Sequence, residues 1–134
     1  MGIVRSATLL AVITDHTASS PAAGPPAWLF RVRVSGPSMS PTLRSGDQLL
    51  VRALGRRARV RAGDVVLARF PARPDLLVVK RVVRAVEGGH WVEGDNPFVT
   101  DDSRAFGAAV VVGRVVGRLW PSPHRLPRAG GPPG

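Results

Sequence analysis

The chain has 134 residues, a formal net charge of +10, a pI near 11.9, no cysteine and three histidines. That length makes one domain with a modest core. The missing cysteines exclude a disulfide framework and a thiolate metal site, and scattered histidines without clustered carboxylates argue against a bound metal or cofactor.

Residues 1–20 hold a short apolar segment, 7–13, interrupted by Thr8. It is too short to span a bilayer, which takes about twenty apolar residues. A single Arg precedes it and no credible cleavage site follows, so it does not read as a secretory signal. Residues 21–27 are rich in Pro and Ala and read as a linker. Strands are expected at 28–34, 48–53, 65–70, 76–86 and 110–119, on alternating or Val/Leu-rich runs bordered by Gly, Pro and Asp. No stretch carries a sustained 3.6-residue apolar period. The expected fold is therefore mainly β: one folded domain, 28–120, between a flexible N-terminal segment, 1–27, and a disordered Pro/Gly/Arg tail, 121–134. Gly46-Asp47-Gln48-Leu49-Leu50-Val51 and Gly63-Asp64-Val65-Val66-Leu67 echo each other as a turn feeding a strand.

Between 34 and 44 the chain turns. Gly36, Pro37 and Pro41 punctuate Ser35-Gly36-Pro37-Ser38-Met39-Ser40-Pro41-Thr42-Leu43 as a tight non-helical segment. A serine on such a turn presents its hydroxyl with its own N–H nearby as an oxyanion donor. It needs a base to become a nucleophile. His16 and His124 lie in Pro/Ala-rich ends, and His90 follows Gly88-Gly89 in an expected turn, none in a triad context.

The better base is the single lysine. Lys80 ends the apolar run Leu76-Leu77-Val78-Val79, while every other basic residue outside histidine is Arg. Arg replaces Lys as a surface charge or phosphate contact but cannot give up its proton near neutral pH. A strand position that keeps Lys points to an amine that must become neutral, and burial among Val78, Val79 and Val82 would lower its pKa. Codon bias toward Arg, with one surviving Lys, is the plain alternative.

These segments resemble the signal peptidase I family of serine peptidases. Ser35 to Leu43 resembles its nucleophile box and Gly63-Asp64-Val65-Val66 the next. Val79-Lys80-Arg81-Val82-Val83 resembles the lysine box, and Gly94-Asp95-Asn96 with Asp102-Ser103-Arg104-Ala105-Phe106-Gly107 the last. Four boxes in family order cover roughly 34–118. The resemblance implies a β catalytic core shared with LexA-type self-cleaving repressors, Ser38 as nucleophile and Lys80 as general base. Gly36 stands where many members carry an oxyanion-binding Ser, so only the Ser38 N–H is assigned that role. Thr100 matches a hydroxyl that orients the lysine amine, and Asp102 with Arg104 matches a structural ion pair near the site. The expected enzyme is a serine endopeptidase that removes an N-terminal leader from a precursor, without a cofactor.

Two departures refine the resemblance. The expected N-terminal membrane helix has no counterpart here, and only 86–93 fill the gap between the lysine and GDN boxes. On size and architecture the chain is most similar to the nickel-type superoxide dismutase maturation proteases, in which any nickel belongs to the substrate. A cytoplasmic location follows, with peripheral membrane contact through Arg52, Arg56, Arg57, Arg59 and Arg61. The rival readings are a small basic β module binding nucleic acid or an anionic surface, and a catalytically inactive homologue. The nucleic-acid reading lacks an aromatic stacking array and a helix-turn-helix pattern.

Overall fold

The structure, a computed structural model, describes residues 3–4, 28–55 and 59–126. Eight strands follow in chain order: β1 (Ile3–Val4), β2 (Leu29–Ser35), β3 (Gln48–Ala53), β4 (Val65–Phe70), β5 (Arg73–Val86), β6 (Gly89–Glu93), β7 (Val110–Trp120) and β8 (His124–Arg125). Among the described residues one short helix, α1 (Ser103–Phe106), precedes β7. The strand order is β1-β2-β3-β7-β4-β5-β6, with β8 added to β7 and every pairing antiparallel. The fold is mainly β, as the sequence leads one to expect.

β1 pairs with β2 on one side and with β5 on the other, Ile3 against both Ser35 and Val78. The sheet thereby closes on itself through a two-residue bridge, which pairs Val34 and Ser35 on one side and Leu77 and Val78 on the other. Period-two alternation then sorts side chains onto two faces. In β2, buried Val32 and Val34 alternate with exposed Arg31 and Arg33. The inner face gathers Val32, Val34, Leu49, Val51, Val65, Leu67, Leu77, Val79 and Val115, plugged by Met39 and Leu43. The outer face of β4 and β5 carries a second core of Val66, Ala68, Phe70, Val78, Val82, Val92 and Ala109. β6 and α1 cover it, with the Phe70 and Phe106 ring centroids 5.1 Å apart.

The sequence echo is a repeated turn. In Arg44-Ser45-Gly46-Asp47 the Arg44 N–H donates to Asp47 Oδ2 at 2.9 Å and the Asp47 N–H to the Arg44 carbonyl at 3.0 Å. Arg61-Ala62-Gly63-Asp64 repeats both bonds at the same lengths. An Asp carboxylate capping its own turn ends one segment and starts the next strand in each case.

Several boundaries move. β3 and β4 fall at the expected residues, whereas β5 starts at Arg73 because a hairpin pairs Arg73 with Phe70. His90 lies in β6, not in a turn, and exchanges backbone hydrogen bonds with Ala109 at 2.9 and 2.8 Å. Ile3–Val4 joins the sheet although 1–27 reads as a loose segment, and His124–Arg125 pairs with β7 inside the expected tail. The remainder of the N-terminal segment and linker, His16, Arg56, Arg57 and the tail from 127 onward lie outside the described residues.

Candidate active site

The Ser38 turn leaves β2 through Gly36, whose φ of +95° suits a residue without Cβ. The Ser40 N–H donates to the Pro37 carbonyl at 3.0 Å and the Leu43 N–H to the Met39 carbonyl at 2.9 Å. Met39 and Leu43, both fully buried, pin the turn into the inner core. Ser38 itself has no accessible surface. Its backbone N–H donates no hydrogen bond among the described residues.

The segment after β6 clamps this turn. The Asn96 N–H donates to the Ser38 carbonyl at 2.9 Å, and Asn96 Nδ2 donates to the Pro37 carbonyl at 3.0 Å. Gly94 lies against Ser38 so closely that a Cβ there would sit 2.5 Å from the Ser38 carbonyl oxygen and 3.4 Å from Ser38 Cβ. Only glycine fits that approach. The Gly94 N–H donates to Asp102 Oδ2 at 3.0 Å.

Lys80 reaches the same neighbourhood from β5. It stands opposite Val66 on β4, while Arg81 pairs with Glu93, which brings Gly94 alongside. Alternation puts Lys80 on the outer face with Val78 and Val82. Val79 faces the inner core, so Val66 takes the place the sequence assigned to Val79. Lys80 is fully buried. Burial pushes its amine from 10.5 down to about 8, against the pull of Asp102 and Asp101 and with the help of Arg104. At pH 7 about one amine in ten is then neutral.

Asp102 is the anion nearest in effect. Burial would raise its carboxyl, but hydrogen bonds from Arg104, the Gly94 N–H and the Arg104 N–H outweigh it and hold it below the usual range. Arg104 Nε and Nη2 grip the carboxylate at 3.0 and 2.7 Å. The Arg104 charge tempers the hold that Asp102 would have on the Lys80 proton. The neighbouring Ser103 hydroxyl accepts from the Val92 N–H at 2.8 Å and ties α1 to β6.

Among the described residues, two side-chain oxygen or nitrogen atoms are buried without a hydrogen-bond partner: Ser38 Oγ and Lys80 Nζ. They are the two chemistry-bearing groups singled out in the sequence, and the chain Ser38–Gly94–Asp102 leads from one to the other's electrostatic surroundings. With both residues covered, a peptide carbonyl reaches Ser38 only after local displacement of the cover. An open groove of about 500 Å³ lies elsewhere, lined by Asp64, Arg114, Arg125 and neighbours, and includes neither group.

Thr100 is not joined to the amine. Its side chain is exposed, its carbonyl accepts from the Asp102 N–H at 2.9 Å, and Lys80 Nζ has no partner. The orienting bond implied by the resemblance is therefore absent from this conformation. Sequence reasoning also passed over a second network. Arg81 Nε and Nη2 donate to Asp95 Oδ1 and Oδ2 at 2.8 and 2.7 Å, and Nη1 donates to the Gly63 carbonyl at 2.7 Å. The Thr42 hydroxyl donates to the same carboxylate. Burial would raise the Asp95 pKa, yet Arg81 and Thr42 bring it below the usual value. The network joins the Ser38 turn, the Gly63 turn and β5. Its signal in the sequence is the placing of Arg81 directly after Lys80 and of Asp95 inside GDN.

No described His bonds to the Ser38 hydroxyl. His90 is half-buried in β6, and His124 is exposed on β8 with Nδ1 3.4 Å from Arg118 Nη2. Among the described residues no three His, Cys, Asp or Glu side chains gather as metal donors.

A closed β sheet with a buried serine turn clasped to a lysine strand belongs with the signal peptidase-like hydrolases. The Peptidase S24-like family model matches residues 8–116, and the chain belongs to that family. Mitochondrial inner membrane protease subunit 1 of Xenopus tropicalis is 36% identical over 112 residues, covering 65% of this chain and 66% of that protein. Mitochondrial ATP-independent inner membrane protease subunit 1a of Arabidopsis thaliana is 35% identical over 116 residues, covering 66% and 68%. Mitochondrial inner membrane protease subunit 1 of Schizosaccharomyces pombe is 35% identical over 122 residues, covering 72% and 78%. The chain thus spans about two thirds or somewhat more of the length of these relatives. Among the described residues no helix is long and apolar enough to cross a membrane.

Proposed function

We propose that the protein is a serine endopeptidase in which Ser38 is the nucleophile and Lys80 the general base, and that it removes an N-terminal leader from a protein precursor. The observation that carries this reading is the pair of buried, unpartnered atoms, Ser38 Oγ and Lys80 Nζ. Each such group costs about 1–3 kcal/mol of desolvation, which folding alone gives no reason to keep. An unsatisfied buried polar group in a native fold calls for an explanation, and a catalytic role is one that accounts for both atoms here.

The chemistry uses this chain's own groups and water. Neutral Lys80 takes the Ser38 hydroxyl proton as Oγ bonds to the scissile carbonyl carbon. The Ser38 N–H donates to the oxyanion that forms. The Lys80 ammonium returns the proton to the leaving amine as the C–N bond breaks, leaving an acyl-enzyme. Neutral Lys80 next accepts a proton from water, whose oxygen attacks the ester. The proton returns to Ser38 Oγ as the peptide acid leaves. Gly36 and Gly94 shape the turn, Asp102 with Arg104 sets the field at the amine, and Thr100 serves as a positioning residue that must turn inward to meet Nζ.

The substrate lies extended beside the Ser38 turn. A nickel-type superoxide dismutase precursor is the candidate substrate, on the resemblance in size and architecture. The protein acts in the cytoplasm, with Arg52, Arg59 and Arg61, all exposed, available for peripheral contact with an anionic membrane surface.

The test is intact-mass analysis of a leader-bearing precursor incubated with the native protein or with Ser38→Ala. Leader loss with the native protein alone is expected, and Ser38→Ala should keep its fold by circular dichroism. Cleavage at the native rate by Ser38→Ala would remove Ser38 from the mechanism.

A further inference from the structure

The most exposed large apolar side chain described sits beside the nucleophile turn. Phe98 is 93% exposed. A lone exposed apolar residue is ordinary on a protein surface. Phe98 differs in how it is held. Its N–H donates to Asn96 Oδ1 at 3.0 Å, and the Val99 N–H donates to the Asn96 carbonyl at 3.1 Å. The same Asn96 donates through its side chain to the Pro37 carbonyl and through its backbone to the Ser38 carbonyl. One asparagine thus sets the position of an aromatic ring's backbone relative to the backbone of Ser38. Pro37 and Pro97, both exposed, stiffen the two segments that Asn96 joins.

We infer that Phe98 is a substrate-contacting, specificity-determining residue. With Pro37 and Pro97 it offers an apolar rim on a braced backbone that receives an apolar side chain of the peptide close to the scissile bond. The inference rests on Ser38 being the nucleophile. With the Phe98 backbone already held by Asn96, the ordering cost of binding is confined to the ring's own rotamers. Ser38 is covered and Phe98 is not, so an approaching peptide meets Phe98 before it meets the hydroxyl. Binding energy gained at such a remote contact can then be used to displace the cover.

A bilayer is the other apolar surface that a bare phenylalanine could enter. The charge around it disfavours that occupant. Asp95 is paired with Arg81 and Asp102 with Arg104, which leaves the exposed Asp101 as the carboxylate of segment 94–104 outside these ion pairs. Asp101 is exposed three residues away, and an anionic leaflet repels it.

The test uses leader peptides in which each of three residues on either side of the scissile bond is Leu or Ser in turn. Native protein, Phe98→Ala and Phe98→Leu are compared by kcat and KM at several pH values. At one peptide position the native preference for Leu over Ser, about tenfold or more, should collapse in Phe98→Ala and survive in Phe98→Leu, with the pH profile unchanged. A uniform loss across all peptides, or no change at any position, overturns the inference. So does weaker sedimentation of Phe98→Ala with phosphatidylglycerol vesicles while its peptide preference stays native, which would assign the ring to a membrane. Anisotropy titration of the same peptides against Ser38→Ala, with and without Phe98→Ala, reads the contact without cleavage. If the native protein cleaves no peptide, the dyad reading fails. The specificity role then falls with it, and the anisotropy arm separates this case from a failure at Phe98 alone, in which native protein cleaves the peptides but the Leu peptide keeps its affinity on Phe98→Ala.

Discussion

Lys80 and Arg81 are consecutive residues on β5, and the fold treats them in opposite ways. Arg81 makes two bonds to Asp95 and one to the Gly63 carbonyl, and both partners of its ion pair are mostly buried, 14% and 18% exposed. Lys80 is fully buried with no partner for Nζ. Alternation on one strand sends adjacent cations to opposite faces, one into a carboxylate network and one into a wall of valine. The satisfied cation holds the Ser38, Gly63 and β5 segments together. The unsatisfied one is destabilised as a cation, which is the condition for serving as a base near neutral pH. On the proposed dyad, reactivity depends on which partner is withheld.

The strongest test of that contrast gives position 80 the side chain that position 81 already has. Lys80→Arg preserves charge and donor capacity but cannot lose its proton near pH 7. Cleavage should fall by about a thousandfold or more, as far as in Lys80→Ala. The native rate should rise about tenfold per pH unit below pH 8 and level off above it, since the neutral fraction of Lys80 follows its pKa of about 8. Substantial neutral-pH cleavage by Lys80→Arg would remove Lys80 as the base and assign that role to another group.

Lys80→Met removes the charge and keeps the bulk. The amine titrates near 8 in the fold against an ordinary value of 10.5. Below pH 8 folded and unfolded chains both hold the proton, and the folded state carries the full cost of the buried cation. Between 8 and 10.5 only the unfolded chain holds it, so native stability rises with pH, and above 10.5 the cost is gone. Lys80→Met should therefore be more stable than native at pH 7 by up to about 3 kcal/mol, with no cleavage. Urea midpoints at pH 7 and pH 10 measure this, and a gap that fails to narrow with pH would mean that burial is not what depresses the amine.

The converse change is Arg81→Met. It leaves Asp95 with Thr42 alone and strips the Gly63 carbonyl of its side-chain donor. The expected loss is roughly 2 kcal/mol, below the 3–5 kcal/mol of fully buried pairs because both side chains keep some exposure. The native contribution from Asp95, whose pKa is depressed, is present above its ordinary 3.8 and fades as pH falls through the lower folded value. Equal urea midpoints for Arg81→Met and native protein would show that the network adds nothing to stability.

How far the sequence reaches follows the same division. β3 and β4 were legible because each is a Val/Leu run launched by a self-capped Arg-x-Gly-Asp turn, a signal local in the chain. Lys80 stood out through composition, and its burial agrees with the apolar run before it. β6 was not legible, since Gly89-His90-Trp91-Val92-Glu93 is short and its strand character comes from pairing with β5. The Arg81–Asp95 pair and the Asn96 clamp on Pro37 join residues 14 and 59 positions apart. No local pattern encodes such contacts before the register is known.

The finest difference to resolve is whether Lys80 is partnerless at all times or only in this conformation. Thr100 is the group that would decide it. The Thr100 hydroxyl is exposed, but its backbone carbonyl accepts from the N–H of Asp102, the carboxylate that acts most on the Lys80 charge. For that hydroxyl to reach Nζ, Thr100 must turn inward as peptide binds. If it orients the amine during turnover, Thr100→Val should lower kcat by about tenfold, a barrier of about 1.4 kcal/mol, while Thr100→Ser restores it. KM and thermal stability should not move in either variant, because the ground state makes no bond through that hydroxyl. Equal kcat in Thr100→Val and Thr100→Ser would instead mean that Lys80 works as an isolated base, held in place by Val66, Val78 and Val82 alone.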